Sequence, residues 1–344
     1  MAIWVIIIRL LWIGPMTLAT IDIIASGPLL TIQDGGRLTA RRYGVPPGGA
    51  MDRFALVAAN RLTGNLPDAP LLELTAGGVS MRFNSAMLIA LTGADLQARL
   101  NEIPLAPWQS VVAPAGSILN LGGRQGSWGG RAYLAIAGDL EAEWAVGGAG
   151  TCLAGGFGGY QGRALRAGDQ IKVRTRALNG ENGYRWWPTD RRPPYCAHPC
   201  LRVLPGPQRD LLPTAWESLL SQDFQLDQAA SRQGYRLSGA TLPVHHLSLP
   251  SFGVIPGAIQ LPPDGRPILL MADAQTTGGY PVIAVVIGAD LPLAAQLLPN
   301  DRLRFAETDL ATAQAAWAEQ TMWLAAGPAD DEDIQLLAQA GALG

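Results

Sequence analysis

Apolar segments in this chain are short, and that limits what it can fold into. Met87–Leu91, Val111–Ala113, Ala132–Ala137 and Asp169–Val173 are all of strand length or less, and glycine, proline or aspartate repeatedly breaks such runs. The 41 glycines and 26 prolines supply the turns. Strands repeated at this spacing predict a mainly β protein built as barrels or sandwiches.

Few segments carry a helical period. Asp52 to Leu62 places Ala55, Leu56, Ala59 and Leu62 on one face, with Gly64-Asn65 as a stop signal. Leu310, Ala313, Trp317 and Leu324 share a second apolar face that ends at Gly327-Pro328, and a last short helix is expected after Asp330. Regular patterning lapses between Arg174 and Arg202, in ENGYRWWPTDRRPPYCAHPC, so we expect one domain over 16–190 and another over 191–344. Ala2 to Ile13 is apolar apart from Arg9, but is too short for a bilayer span of about 20 residues. It also lacks the basic segment and cleavage site of a secretory signal. Met16 is the preferred start, with 1–15 as an extension, and a membrane anchor is the alternative reading of that segment.

Several chemistries are excluded by what the residues are. A net charge of −3 gives no reason to expect nucleic acid or an anionic membrane as partner. Cys152, Cys196 and Cys200 are too few for a disulfide framework, which points to a reducing cytoplasm. Cys196, His198 and Cys200 fall short of the four ligands of a structural zinc site. The one lysine, Lys172, lies in the alternating run QIKVR, so there is neither a P-loop nor a Schiff-base setting. GGFGGYQG at Gly155–Gly162 has Gln161 where a dinucleotide loop needs its third glycine. No G-x-S-x-G elbow is present, and His245-His246 has no evident nucleophile, which argues against a Ser-His-Asp hydrolase.

Carboxylates, amides, hydroxyls and arginines remain. LLMADAQTTGGYP at Leu269–Pro281 has a rough counterpart in LLTIQDGGR at Leu29–Arg37 followed by GVPPGGAMD at Gly44–Asp52. In each, an apolar run ends at an aspartate (Asp34 or Asp273) near a glutamine (Gln33 or Gln275). A glycine pair follows, Gly48-Gly49 or Gly278-Gly279. Successive glycines let backbone amides converge on an anion. Thr276, Thr277, Gly278 and Gly279 are thus candidate anion donors, with Tyr280 adding a hydroxyl. Asp34, Asp52, Glu73 and Asp273 are candidate base or metal carboxylates, with Asp34 and Asp273 preferred as the catalytic pair. Arg37, Arg131, Arg163, Arg232 and Arg236 are candidate clamps for an anionic group, and Arg37 and Arg236 are preferred for that role. On this reading, Asp273→Asn abolishes turnover without unfolding the protein.

The same segments resemble a known family. TIQDGGR, GVPPGGAMD, AN-x-L-x-GN at Ala59–Asn65, ALTGA at Ala90–Ala94 and RAYLAIAG at Arg131–Gly138 are similar to the biotin-dependent carboxyltransferase, or allophanate hydrolase subunit 2, family. So are GGFGGYQGRALRAGD at Gly155–Asp169, LRVLPGPQ at Leu201–Gln208, SRQGYRLSG at Ser231–Gly239 and PGAIQLPPDGRPILLMADAQTTGGYP from Pro256. The resemblance runs from about Met16 to about Phe305. Departures are Phe252 where many relatives carry an acid, Asp139 where a glycine is usual, and Ala149-Gly150 in place of a serine pair.

The resemblance implies two cyclophilin-like β-barrel domains. It also implies the C subunit of an ATP-dependent 5-oxoprolinase, which opens 5-oxoproline to glutamate with a kinase-inhibitor-type B subunit and a lactam-utilisation-type A subunit. ATP with Mg would then act through the complex. The alternatives are a biotin-dependent carboxyltransferase component of the urea carboxylase type, with biotin on a separate carrier, and a non-catalytic antagonist of a histidine-kinase inhibitor.

Overall fold

The structure, a computed structural model, describes residues 16–330 apart from 127, 177, 179–183 and 246. The expected extension over 1–15 and the expected helix after Asp330 lie outside the described residues.

Mainly β structure is what the chain adopts, with strand-length runs pairing as their alternation demands. The N-terminal strands lie in two seven-stranded sheets, the second of which takes its last strand from the C-terminal segment Ala329–Asp330. The first runs Gly138–Leu140, Gln170–Arg176, Met16–Ser26, Val79–Phe83, Ile118–Leu121, Ala98–Leu100, Ile103–Pro104. The second runs Leu29–Gln33, Leu71–Thr75, Arg131–Ile136, Met87–Gly93, Gln109–Ala113, Arg185–Trp186, Ala329–Asp330. Ile21, Met81, Leu119 and Val173 of the first sheet meet Leu30, Leu72, Ile89 and Leu134 of the second in one core.

Helix α1 (Arg53–Leu62) covers the other face of the second sheet. Phe54, Ala55 and Ala58 there pack with Leu71, Ala90, Tyr133 and Ala135. Strand Arg131–Ile136 is consequently buried on both faces, which is why RAYLAI reads as a nearly unbroken apolar run. Asp52 caps α1 by accepting a hydrogen bond from the Ala55 amide at 2.9 Å, and the chain leaves the helix through Gly64 at φ +73°.

The second half closes into a barrel. Its strand order is Cys200–Pro205, Val282–Val286, Ala258–Gln260, Ile268–Leu270, Gly234–Ser238, Asp223–Leu226, Arg302–Glu307. The first and last of these pair in parallel to complete the ring. Helix α2 (Pro213–Leu220) and helix α3 (Leu291–Ala295) bury Ala215, Trp216, Leu219, Leu293 and Ala294 in the barrel core.

Helix α4 (Leu310–Ala326) then runs back to the first half, where Trp323 and Leu324 pack against the α1 core. The buried line of α4 differs from the expected stripe. Ala313, Ala316 and Gln320 face inward, while Leu310 and Trp317 are 60% and 53% exposed. Small residues are needed where α4 crosses Ile287 and Ala289 closely, and this rotates Trp317 to the rim above Gly288. Among the described residues no helix is long and apolar enough to cross a membrane.

Candidate functional site

Two of the predicted loops meet where the halves join. Gly48 and Gly49 both take left-handed backbone conformations, at φ +62° and +80°. The Gly48 amide donates to the Ala272 carbonyl at 2.9 Å, and Gly48 lies between the Arg37 guanidinium and the Asp273 carboxylate. The Ala50 amide donates to the Asp34 carbonyl at 2.9 Å, which ties the turn back to its own sheet.

Arg232 is the centre of this junction. Its guanidinium grips Asp273 in two bonds of 2.9 and 3.0 Å, donates to the Gly49 carbonyl at 2.5 Å and forms an ion pair with Glu73. Glu73 in turn accepts the Met51 amide at 2.8 Å. All three charged side chains are buried. Burial opposes the Arg232 charge, but Glu73 and Asp273 outweigh it and raise the guanidinium pKa above its ordinary value.

A second buried cluster lies beside the first. The second oxygen of Asp52 accepts from the Tyr195 hydroxyl and from the Gln296 amide, both at 2.8 Å. The Asp52 amide donates to the Tyr133 hydroxyl at 2.8 Å. Gln296 accepts from the Gly130 and Arg131 amides at 3.2 and 3.0 Å, and Arg131 donates to the Tyr235 hydroxyl at 2.9 Å. Burial pushes the Asp52 carboxyl up to about 6 against the pull of Ala55, Gln296 and Tyr195, and nearby Glu73 adds to the rise.

The remaining predicted residues divide clearly. The two Asp34 oxygens accept the Gly36 and Ala149 amides at 2.9 and 2.6 Å. Arg37 donates to the carbonyls of Ala145, Gly148 and Gly150, and its guanidinium lies over the Phe157 ring at 5.1 Å. Both side chains therefore hold the glycine-rich segment 145–158 against the sheet. Gln33 donates to Thr31 at 3.1 Å and to the Thr151 carbonyl at 3.3 Å.

Gln275 bonds Gln260 at 3.1 Å, and Thr277-Gly278 pairs with Phe252-Gly253 in a two-stranded sheet. Gly278 and Gly279 have no left-handed backbone, so the expected amide nest does not form there. Thr276 uses its carbonyl to accept the Val254 amide, and Tyr280 is exposed. Arg236 sits apart from the junction in a half-exposed ion pair with Asp264. The structure thus brings Asp34, Arg37, Gly48, Gly49, Asp52 and Asp273 together and leaves Arg236 and Thr276–Tyr280 outside that cluster.

Beside the junction lies a cleft of about 580 Å³ between the halves. Phe54, Val57, Leu291, Trp317 and Leu324 give it apolar walls, and Asp34, Arg53 and Asp68 make its rim polar. Clefts of this size between domains are a common setting for small ligands. Tyr195 and Gln296 carry no local signal, because one lies in the irregular stretch between the halves and the other just after α3. Their role depends only on meeting Asp52 in space.

A protein of two packed β units, with its polar loops gathered at the seam and a cleft beside them, is the class these observations define. The carboxyltransferase domain, subdomain A and B, family matches residues 43–307, and the chain belongs to that family. The resemblance read from the motifs is borne out. The chain is 35% identical over 313 residues to the C subunit of 5-oxoprolinase from Escherichia coli, covering 88% of this chain and 98% of that protein. It is also 35% identical over 298 residues to the C subunit of 5-oxoprolinase from Haemophilus influenzae, covering 84% of this chain and 92% of that protein. In fold it is similar to the crystal structure of Kluyveromyces lactis urea carboxylase, with a TM-score of 0.82 and 27% identity. That likeness covers 89% of this chain and 29% of the urea carboxylase chain.

Proposed function

We propose that this chain is the C subunit of an ATP-dependent 5-oxoprolinase, opening 5-oxoproline to L-glutamate with subunits of the B and A types. The observation that carries the reading is its 35% identity to two 5-oxoprolinase C subunits, of which it spans 98% and 92%. Against urea carboxylase the likeness extends over 29% of the longer chain.

The junction supports a subunit that works within a complex. Its carboxylates are already engaged, Asp273 by Arg232 and Asp34 by two backbone amides. Among the described residues no group of three His, Cys, Asp or Glu side chains converges to hold a metal ion. The donors at Thr276–Gly279 do not form a phosphate cradle, so these residues do not by themselves fit Mg-ATP. We assign the nucleotide to a partner protein or to the interface with one. This chain would contribute the cleft and the rigid loops around it, and would be inactive alone. Lactam hydrolysis needs a driving reaction because the ring amide is stable, and ATP supplies that drive when bound.

The test is ADP release by the chain mixed with its B-type and A-type subunits, with and without 5-oxoproline. Release that requires both the substrate and this chain is the expected result. No stimulation, with all three proteins folded and associated, would overturn the reading. Carboxyl transfer from a biotinylated carrier, favoured by the TM-score of 0.82 to urea carboxylase, would then be assayed next.

A further inference from the structure

Helices α1 and α4 flank the large cleft along its length. Phe54, Val57 and Arg61 face it from α1, and Trp317, Leu324 and Ala325 from α4. Its lining is mostly apolar, and Trp317 at the rim is half-exposed. Helix α4 carries one charged side chain, Glu319, in 17 residues, and buries only Ala313, Ala316 and Gln320. A helix this apolar on its outer side normally has that side covered. Apolar walls left to water are unfavourable, and an apolar segment laid over them removes that cost.

The chain itself runs past the mouth of the cleft. A smaller recess lined by Arg61, Ala326, Gly327 and Asp330 adjoins it, since Arg61 lines both. Ala329–Asp330 pairs with Arg185–Trp186, and a side-chain carbon built on Gly64 would lie 3.7 Å from Arg185 Nη1. Asp330 therefore stands beside the C-terminal end of α1. Residues 331–344 follow, reading DEDIQLLAQAGALG. Ile334, Leu337, Ala338 and Gly341 recur at the spacing of one helical face, and Asp331, Glu332 and Asp333 precede them as a helix start favours.

The lengths agree. From Arg61 back to Phe54 the axis of α1 covers about 10 Å, and a helix over 334–341 covers about 12 Å. Ala329–Asp330 carries the chain outward past α1, so the segment has to reverse, and 331–333 span up to about 10 Å in doing so.

We propose that 331–344 folds back over the cleft, with Ile334, Leu337 and Ala338 seated between α1 and α4. Apolar burial carries the contact. The acids of the turn pass Arg61 at the mouth, a pairing near solvent of small weight. The segment is thus a built-in cover. It does not depend on the reaction assigned above, but whatever the assembled protein places in the cleft must first displace it. Residues 1–15 are also apolar and join the fold at Met16, opposite Arg176, so the test has to separate the two ends of the chain.

Hydrogen exchange of the full chain, read by mass spectrometry, provides that test. Amides in 334–341 should exchange at least about tenfold more slowly than in an unfolded peptide. Leu337→Asp should restore the unfolded rate there while leaving the barrel strands unchanged, which also shows that the variant is folded. In the same variant, hydroxyl-radical labelling of Trp317 and Leu324 should rise. Unprotected amides in the parent would overturn the proposal. So would unchanged labelling of Trp317 and Leu324, because the segment would then pack elsewhere. If deleting 1–15 raises that labelling and Leu337→Asp does not, the N-terminal segment is the occupant and the proposal fails. Protection that is lost on dilution would assign the cover to a second copy and overturn it as well.

Discussion

Glu73, on the second N-terminal sheet, and Arg232, in the barrel half, form an ion pair from which water is excluded. They are 159 residues apart in the chain, and Asp273 completes the group from the barrel side. Removing one partner of a buried charge group typically costs about 3–5 kcal/mol, because the charges left behind are uncompensated. Arg232→Met should therefore lower stability by roughly that amount. Denaturant unfolding would measure the loss. A change of less than about 1 kcal/mol would show that the triad does not hold the halves together.

Asp273→Asn takes on a different meaning in this setting. Catalytic duty alone would lower turnover and leave stability unchanged. The two bonds from Arg232 predict instead that stability falls together with any loss of activity, because one of the two carboxylates balancing that guanidinium is removed. Melting of the variant beside turnover in the three-subunit assay separates the two outcomes.

Asp52 predicts an unusual pH dependence. Its carboxyl is raised from 3.8 to about 6, so between these values the folded protein holds more protons at this site than the unfolded chain. The Asp52 contribution to stability is then fully present below 3.8 and is lost as pH rises through about 6. The full span is on the order of 3 kcal/mol. Asp52→Asn removes this titration. Parent and variant unfolding free energies measured from pH 4 to 8 should therefore differ in slope below pH ~6, with the parent gaining as pH falls. Parallel profiles would exclude the shift.

Gly48 and Gly49 should respond differently to alanine. Both pay for a left-handed backbone, about 1–2 kcal/mol. A methyl on Gly49 would also meet the Gly36 amide at 2.7 Å and the Asp34 carbonyl at 2.8 Å, neither of which can swing away. On Gly48 the nearest atom is Arg37 Nη1 at 3.3 Å, the end of a side chain. Gly49→Ala should be the more destabilising in thermal melts, and equal effects would argue against the close loop packing.

Arg37→Met tests the glycine-rich segment. It would leave the carbonyls of Ala145, Gly148 and Gly150 without this donor, at a cost of about 1–3 kcal/mol for each one that water does not reach. Amide exchange in residues 145–158 should accelerate while exchange in the barrel strands stays unchanged. Equal acceleration throughout would mean that Arg37 supports the whole fold.

Much of the architecture was legible in local pattern. Helix α1 follows from its apolar spacing and from the stop at Gly64-Asn65, since both signals act within one or two turns of chain, whereas the Asp52 cap was not read from the sequence. Strand runs such as RAYLAI reflect burial on two faces, a property each segment carries in its own residues. The glycine-rich motifs likewise marked where Gly48 and Gly49 would need their unusual backbone. What only the tertiary structure decided is how the charges are used. Asp34 and Asp273 occupy similar sequence settings, yet one binds backbone amides and the other an arginine. Arg236 and Arg232 lie four positions apart on the chain, yet one is paired near solvent and the other closes the junction. A carboxylate or guanidinium takes its role from the groups that replace its water, and here those groups come from segments that only folding brings together.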